Sequence, residues 1–388
     1  MKRCIQLVVL LFYAICIQAQ QSGRVNVVYY DSVEVSLMTC APHEEVYSLY
    51  GHSALRWHDL HTGQDLVFNW GVFNFQKPFF VLRFVFGLTD YELGVTGFQP
   101  FVDYYQKWGA MVSEQILDLT SKEKAQLQLL LAENYRPENR VYRYNFLYDN
   151  CSTRPREMIE HCIDGSVKYS AREDYSPTFR QMVYEKTRRH DWATEGNNLL
   201  LGVKADLRTI REEQEFLPEN LQYDVDRAEV YRNDGRYTPL VKARRVVVEP
   251  GVQIVERDFL ISPMEVGITL TVVSLLVFVA EWRRRKTFKY WDVFLMSVVG
   301  LAGCMLFLML FSQHPTTSTN LQVLLINPVH LFFIPAVFRR RHTLYWIVLI
   351  VMLALVFLGG IWQRYATLTP FLALCLLLRY CIHQRSEK

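Results

Sequence analysis

Three patterns of apolar and polar residues follow one another along this 388-residue chain. A short apolar run, Ile5 to Ile17, sits between Met1-Lys2-Arg3 and Gln18-Ala19-Gln20. A basic start, an apolar core and a small-residue cleavage site predict a secretory signal over residues 1–20. Residues 21–262 then mix polar and apolar positions with no long apolar stretch, the pattern of one sizeable folded domain outside the cytoplasm. From Pro263 the character changes. Apolar runs at roughly 263–281, 292–311, 321–338, 343–361 and 367–382 predict about five transmembrane helices, an all-α membrane domain over 263–388. Asn327-Pro328 interrupts the third run, and Arg379 lies in the last.

Within residues 21–262, Val25 to Cys40 alternates loosely and predicts an opening strand. Ser53–His58 and Asp65–Trp70 flank a polar turn and predict a β-hairpin. Thr120 and Glu123 form a capping-box pattern that starts an amphipathic helix reaching about Tyr135. Val141 to Tyr148 is strand-like and delivers Asp149-Asn150-Cys151. Pro155 is compatible only with a helix's first turn, so a helix starts close to Cys151. Val246 to Val255 predicts a terminal strand. Strands, helix, strand, helix is the order of an α+β domain.

Charge fixes orientation. Arg283-Arg284-Arg285-Lys286, Arg339-Arg340-Arg341 and the tail from His383 lie in alternate loops, whereas Ser312 to Asn320 holds no Lys or Arg. The positive-inside rule places the basic loops in the cytoplasm and residues 21–262 on the other side. The net charge of +3 resides largely in those loops, and no basic-aromatic pattern for nucleic acid is present.

Candidate chemistry centres on two stretches, Tyr50-Gly51-His52-Ser53-Ala54-Leu55-Arg56 and Tyr148-Asp149-Asn150-Cys151-Ser152-Thr153-Arg154. A thiol at a helix N-terminus feels the positive end of the dipole, which favours thiolate. A neighbouring imidazole would complete a Cys–His pair for acyl transfer. Cys151 is therefore the candidate nucleophile and His52 the candidate base, held between a glycine turn and a strand. The helix-start N–H groups would form the oxyanion hole. Asn69 or Asp65 could orient the imidazole. Tyr50, Arg56 and Asn150 are supporting candidates.

Cys40, Cys151 and Cys162 are the cysteines of the external domain. In one helix, Cys151 and Cys162 would lie ~16 Å apart, too far to bridge. A Cys40–Cys151 disulfide is the main alternative to a free Cys151. No zinc-type Cys/His spacing occurs, and no metal or other cofactor is implied. Phe73, Phe75, Phe79, Phe80, Phe84 and Phe86, with Lys77 and Arg83 interleaved, form either core or an acyl-chain groove or membrane-docking edge. His314, Asn320 and Asn327 are candidates for a membrane-side substrate site, because polar groups there are costly unless they line one.

These motifs resemble, in this order, the Bacteroidetes family described as Lnb N-terminal periplasmic domain proteins. The resemblance is carried by Leu49 to Arg56, Tyr148 to Arg154, Asn198 to Gly202, Phe216-Leu217-Pro218, His314-Pro315 and Asn327-Pro328. It implies a permuted papain-like, NlpC-related fold, an antiparallel sheet with helices in which the histidine precedes the cysteine. It implies lipoprotein N-acylation at the inner membrane, with Cys151 as nucleophile and His52 as base. The partners would be a phospholipid acyl donor and a diacylated lipoprotein acceptor. His43 is a departure, since family members often carry glycine after that proline. The rival expectations are a membrane-tethered thiol hydrolase, either cell-wall peptidase or phospholipase, and a non-catalytic envelope sensor or scaffold.

Overall fold

The computed structural model describes residues 30–386 except 44, 46–47, 74–75, 77, 173–174, 253–258 and 340–342. The predicted signal, the start of the opening strand, Phe75, Lys77 and the second and third arginines of the 339–341 loop lie outside the described residues.

The N-terminal half is built on a seven-stranded sheet of order β10-β5-β1-β2-β3-β4-β6, antiparallel at every pairing. Its strands are β1 (Val33–Cys40), β2 (His52–Asp59), β3 (Gln64–Val72), β4 (Asp90–Gly97), β5 (Val112–Leu117), β6 (Val141–Arg143) and β10 (Val241–Val248). Alternation along the strands sends successive side chains to opposite faces. Val33, Val35 and Leu37 of β1 and Leu55 and Trp57 of β2 join one core cluster. That face is covered by α3 (Ser121–Asn134), α4 (Thr153–Cys162) and α8 (Pro218–Arg227) through Leu127, Leu131, Ile159, Cys162, Leu221 and Val225. Met38, Cys40 and Ala54 face the other way, against Phe101 and Tyr105 of α2 (Phe98–Trp108). A second sheet, β7-β8-β9 (Gly165–Lys168, Glu229–Arg232, Tyr237–Pro239), shares the first core through Val230, and α5 (Phe179–Thr187) and α7 (Arg211–Gln214) lie between α4 and α8 in the chain.

The β2–β3 hairpin forms where alternation placed it, with Asp59 opposite Gln64. Thr120 and Glu123 make their reciprocal capping box. The expected strand Val141–Tyr148 is cut to three residues. Beyond Arg143 the chain bridges Asn145 to Asp149 and turns, because Asn150 Nδ2 donates to Phe146 O at 2.9 Å. The terminal strand lies earlier than expected, at Val241–Val248, paired with β5.

The C-terminal half is helical: α9 (Pro263–Arg284), α10 (Lys289–Met309), a 3₁₀ turn at Leu321–Leu324 running on to α11 (Val329–Phe338), α12 (Thr343–Gly359) and α13 (Leu368–Ser386). Among the described residues, Pro263–Arg284, Lys289–Met309 and Leu321–Phe338 are long and apolar enough to cross a membrane, and Leu344–Gly359 is a shorter apolar helix. The fifth, α13, is less apolar because it carries Arg379. That guanidinium is buried and compensated. It binds Asp292 of α10 at 2.6 Å and Glu281 of α9, while His383 Nε2 lies 3.1 Å from Asp292. A buried charge survives only when paired in this way.

The halves are joined by a dense polar seam. Helix α6 (Asp191–Leu200) and the strap 198–203 rest on the bundle's outer end. Gly202 and Val203 donate to Thr316 O and Thr319 O at 2.8 Å each. Asn320 Nδ2 donates to Leu199 O at 2.7 Å, and Gln363 Nε2 donates to Leu201 O at 3.1 Å and Asn320 Oδ1 at 2.8 Å. Gln322 Nε2 donates to Asn198 O at 3.0 Å. The Glu195 carboxylate receives Thr367 and Leu368 N–H at 2.7 and 2.9 Å, capping α13. The loop 312–320 and the turn near 364 thus lie on the same side as the N-terminal half, as the loop charges require.

Candidate active site

His52 is the first residue of β2, and the turn before it is set by Gly51. At φ +78 and with Cys40 O only 2.7 Å from where a Cβ would stand, no other residue fits that turn. Cys151 arrives from the opposite direction, one residue before the N-cap of α4. Asn150 builds that helix start. Its Oδ1 accepts the Ser152 and Thr153 N–H groups at 2.8 and 3.1 Å, and its Nδ2 also donates to Phe216 O at 2.8 Å. Only 2% exposed, Asn150 clamps the segment with both polar atoms of its amide engaged. The expected oxyanion donors at Ser152 and Thr153 are consequently occupied.

Cys151 and His52 meet as a hydrogen-bonded pair. Burial works against charge on the thiol. The His52 charge and hydrogen bond, the Ser53 N–H and the Ser152 hydroxyl outweigh it and hold Cys151 below its ordinary range. Burial likewise opposes imidazolium, yet Cys151 and the Asn69 hydrogen bond raise His52 above its usual value. His52 Nε2 lies 3.2 Å from Asn69 Oδ1 on β3. The ring therefore donates from Nε2 to Asn69 and leaves Nδ1 toward sulfur. Of the two orienting candidates, the structure brings Asn69 to the imidazole. Asp65 instead forms a bidentate pair with Arg56 at 2.7 and 2.8 Å.

Arg56 is not at the site. It is buried between Asp65, Glu114 at 2.9 Å and the ring of Phe98, so its place is structural. His58 lies near Asp65 and His61 in the adjacent turn, both apart from Cys151. Cys40, Cys151 and Cys162 are free thiols. Burial pushes Cys162 up to about 12 and raises Cys40 too, so of the three only Cys151 is placed for thiolate chemistry. No group of three or more potential metal ligands occurs among the described residues.

The pair opens into a cleft of ≈ 680 Å³ lined largely by aromatic rings, among them Tyr50, Phe73, Phe84, Tyr91, Tyr144 and Phe216. This volume is in the range of small-molecule sites. Tyr50 OH accepts from Asn197 Nδ2 at 3.0 Å, and His43 stacks on Trp108 at 4.6 Å beside it. Both side walls are tied to the membrane half. One is α6. The other is α1 (Phe80–Val85), where Phe84 O accepts from His314 at 3.0 Å and Phe86 O from the Gln313 N–H at 3.0 Å. Phe79 is 78% exposed at the start of α1, while Phe73 and Phe84 of the phenylalanine run line the cleft.

The membrane-side candidates separate. His314 holds α1 and Asn320 holds the strap. Asn327 does neither: its Nδ2 donates to Val323 O at 3.0 Å and its Oδ1 accepts Val329 N–H at 3.0 Å. It bridges the break between the 3₁₀ turn and α11 within the bundle. The polar anchors Glu195, Gln322 and Gln363 escaped sequence reasoning. Their only signal was a polar side chain beside an apolar run, which a solvated loop also shows.

No curated protein and no solved structure matches the chain significantly. Family models do. Residues 25–185 match the Lnb N-terminal periplasmic domain, and residues 254–388 match the Lnb transmembrane domain, a five-helix model. With both domains matched in this order along one chain, the protein belongs to the Lnb family and is a membrane protein with a periplasmic part.

Proposed function

We propose that this protein is an apolipoprotein N-acyltransferase of the bacterial inner membrane, multi-pass, with its Cys–His site in the periplasm. The observation that carries this reading is the Cys151–His52–Asn69 arrangement at the base of an aromatic cleft whose two walls are fastened to a membrane bundle. Cys151 thiolate attacks the ester carbonyl of a phospholipid. The carbon–oxygen bond to glycerol breaks, His52 imidazolium gives its proton to the leaving alkoxide, and a lysophospholipid departs. The α-amine of a diacylglyceryl-cysteine then attacks the thioester. His52 takes a proton from the amine, the carbon–sulfur bond breaks, and thiolate is regenerated with a new amide on the lipoprotein. This is covalent catalysis in two steps. Asn69 keeps the imidazole in the useful tautomer. The Cys151 N–H and the Tyr50 hydroxyl, oriented by Asn197, are the donors for the developing oxyanion.

A hydrolase acting on soluble peptide would share the triad. The aromatic lining and the fastening to the bundle favour a lipid donor, and a free, activated thiol favours catalysis over a scaffold role. The test is lipopeptide mass spectrometry in cells lacking their own apolipoprotein N-acyltransferase. Expression of this chain should add an N-linked acyl chain, and Cys151→Ser should abolish it while Cys162→Ser retains it. Normal N-acylation by Cys151→Ser would reject the thioester mechanism.

A further inference from the structure

Ala193, Gly196, Asn197 and Leu200 of α6 line the same cleft as Cys151. Their spacing puts them on one helix face. Gly196 sits in mid-helix, where glycine is the least favourable residue after proline. Elsewhere such glycines are demanded by neighbours: a Cβ on Gly267 would stand 2.4 Å from Phe371, and one on Gly303 2.3 Å from Asn327. At Gly196 an added Cβ meets nothing within 4 Å. The protein's own packing does not require glycine here. What its absent side chain leaves is open space on a face that lines the cleft holding Cys151.

The two ends of this face differ. Leu200 also packs against the apolar core of the membrane bundle, while Ala193 lies about 10 Å away along the helix. The face therefore runs from the bundle into the cleft. Phe84, 41% exposed and held at its carbonyl by the bundle loop, lines the same cleft. The one polar side chain on the α6 face, Asn197, is engaged with Tyr50. An apolar trough between bundle and nucleophile fits a long unbranched hydrocarbon chain better than a peptide, which would bring backbone groups that need partners.

Building on the acyl-transfer reading, we propose that the donor's acyl chain lies along the Ala193–Gly196–Leu200 face of α6, and that the open space at Gly196 determines how long a chain reaches Cys151.

The test uses full-length protein in lipid nanodiscs and reads alkylation of Cys151 by peptide mass spectrometry, with N-ethylmaleimide and N-dodecylmaleimide as probes. Gly196→Leu should lower the long-to-short rate ratio by about tenfold, because its side chain fills the trough. Gly196→Ala, the better helix former, should lower it less, by about twofold, without loss of folded protein. N-acylation by Gly196→Leu should shift toward shorter donor chains in a mixed-chain phospholipid. An unchanged ratio in Gly196→Leu, with N-ethylmaleimide still reacting at the native rate, overturns the proposal. If Gly196→Leu does not fold, the absence of any graded slowing in Gly196→Ala overturns it. Failure of the acyl-transfer reading looks different: the native protein would label at Cys151 and discriminate by chain length, yet transfer no acyl group.

Discussion

Replacing His52 by alanine tests the electrostatics of the pair. In the native cleft, the His52 charge and hydrogen bond outweigh the burial that would otherwise raise the Cys151 thiol. Without the imidazole, burial dominates. A hydrogen bond to a charged group contributes about 1.5–3 kcal/mol. The thiol of His52→Ala should therefore rise, and the lost stabilisation of thiolate should slow alkylation by iodoacetamide at pH 7 by about tenfold or more. The sign with pH follows. Cys151 sits below its ordinary 9.0 and His52 above its ordinary 6.5. The native rate should hold as pH falls through the ordinary thiol range and drop only at the lowered value. The variant's rate should already be falling there. The assay is peptide mass spectrometry of Cys151 from pH 5 to 10 on protein in nanodiscs, with His58→Ala as control. A native profile that titrates in the ordinary thiol range would refute the reasoning, as would identical profiles for native protein and His52→Ala.

Asn69→Ala removes the hydrogen bond that favours the charged form of His52, so Cys151 alkylation and acyl transfer should each slow about tenfold while the thermal unfolding midpoint shows the protein still folded. Arg56→Met leaves the Asp65 and Glu114 carboxylates facing one another without their cation. It should cost about 3–5 kcal/mol, read as a lower unfolding midpoint, while Cys151 in the folded fraction alkylates at the native rate. A periplasm-only reporter fused after Asn320 should be active and one fused after Arg285 silent; the reverse would place the cleft in the cytoplasm.

The sequence disclosed most where one local rule dominates. The hairpin, the Thr120 cap and the helix start before Pro155 each rest on a few adjacent residues, and each formed as expected. Cys151 and His52 were legible because each sits in a distinctive turn. Asn69 could not be told from Asp65, since both lie on one strand and only their partners separate them: His52 for one, Arg56 for the other. Arg56 looked like site chemistry because it lies four residues from His52, but the strand carries it away from the cleft. Strands β4 and β5 and helix α2 were not recognised; in β5 the buried Glu114 and Gln115 break the apolar pattern that marks a strand. Asn327 was assigned to a substrate site on the cost of polar groups in membranes. Backbone groups freed at a helix break meet that cost equally well.

The cap of α13 by Glu195 also constrains how the chain is made. Glu195 leaves the ribosome 172 residues before Thr367, its partner. At ordinary elongation rates that interval is about 10–30 s. Throughout it, α6 is made but the helix that its Glu195 caps is not. The fastening of α6 to the bundle, begun by Thr316 and Asn320, is therefore complete only when the last helix is in place, so a chain truncated before Thr367 should hold that wall of the cleft less firmly.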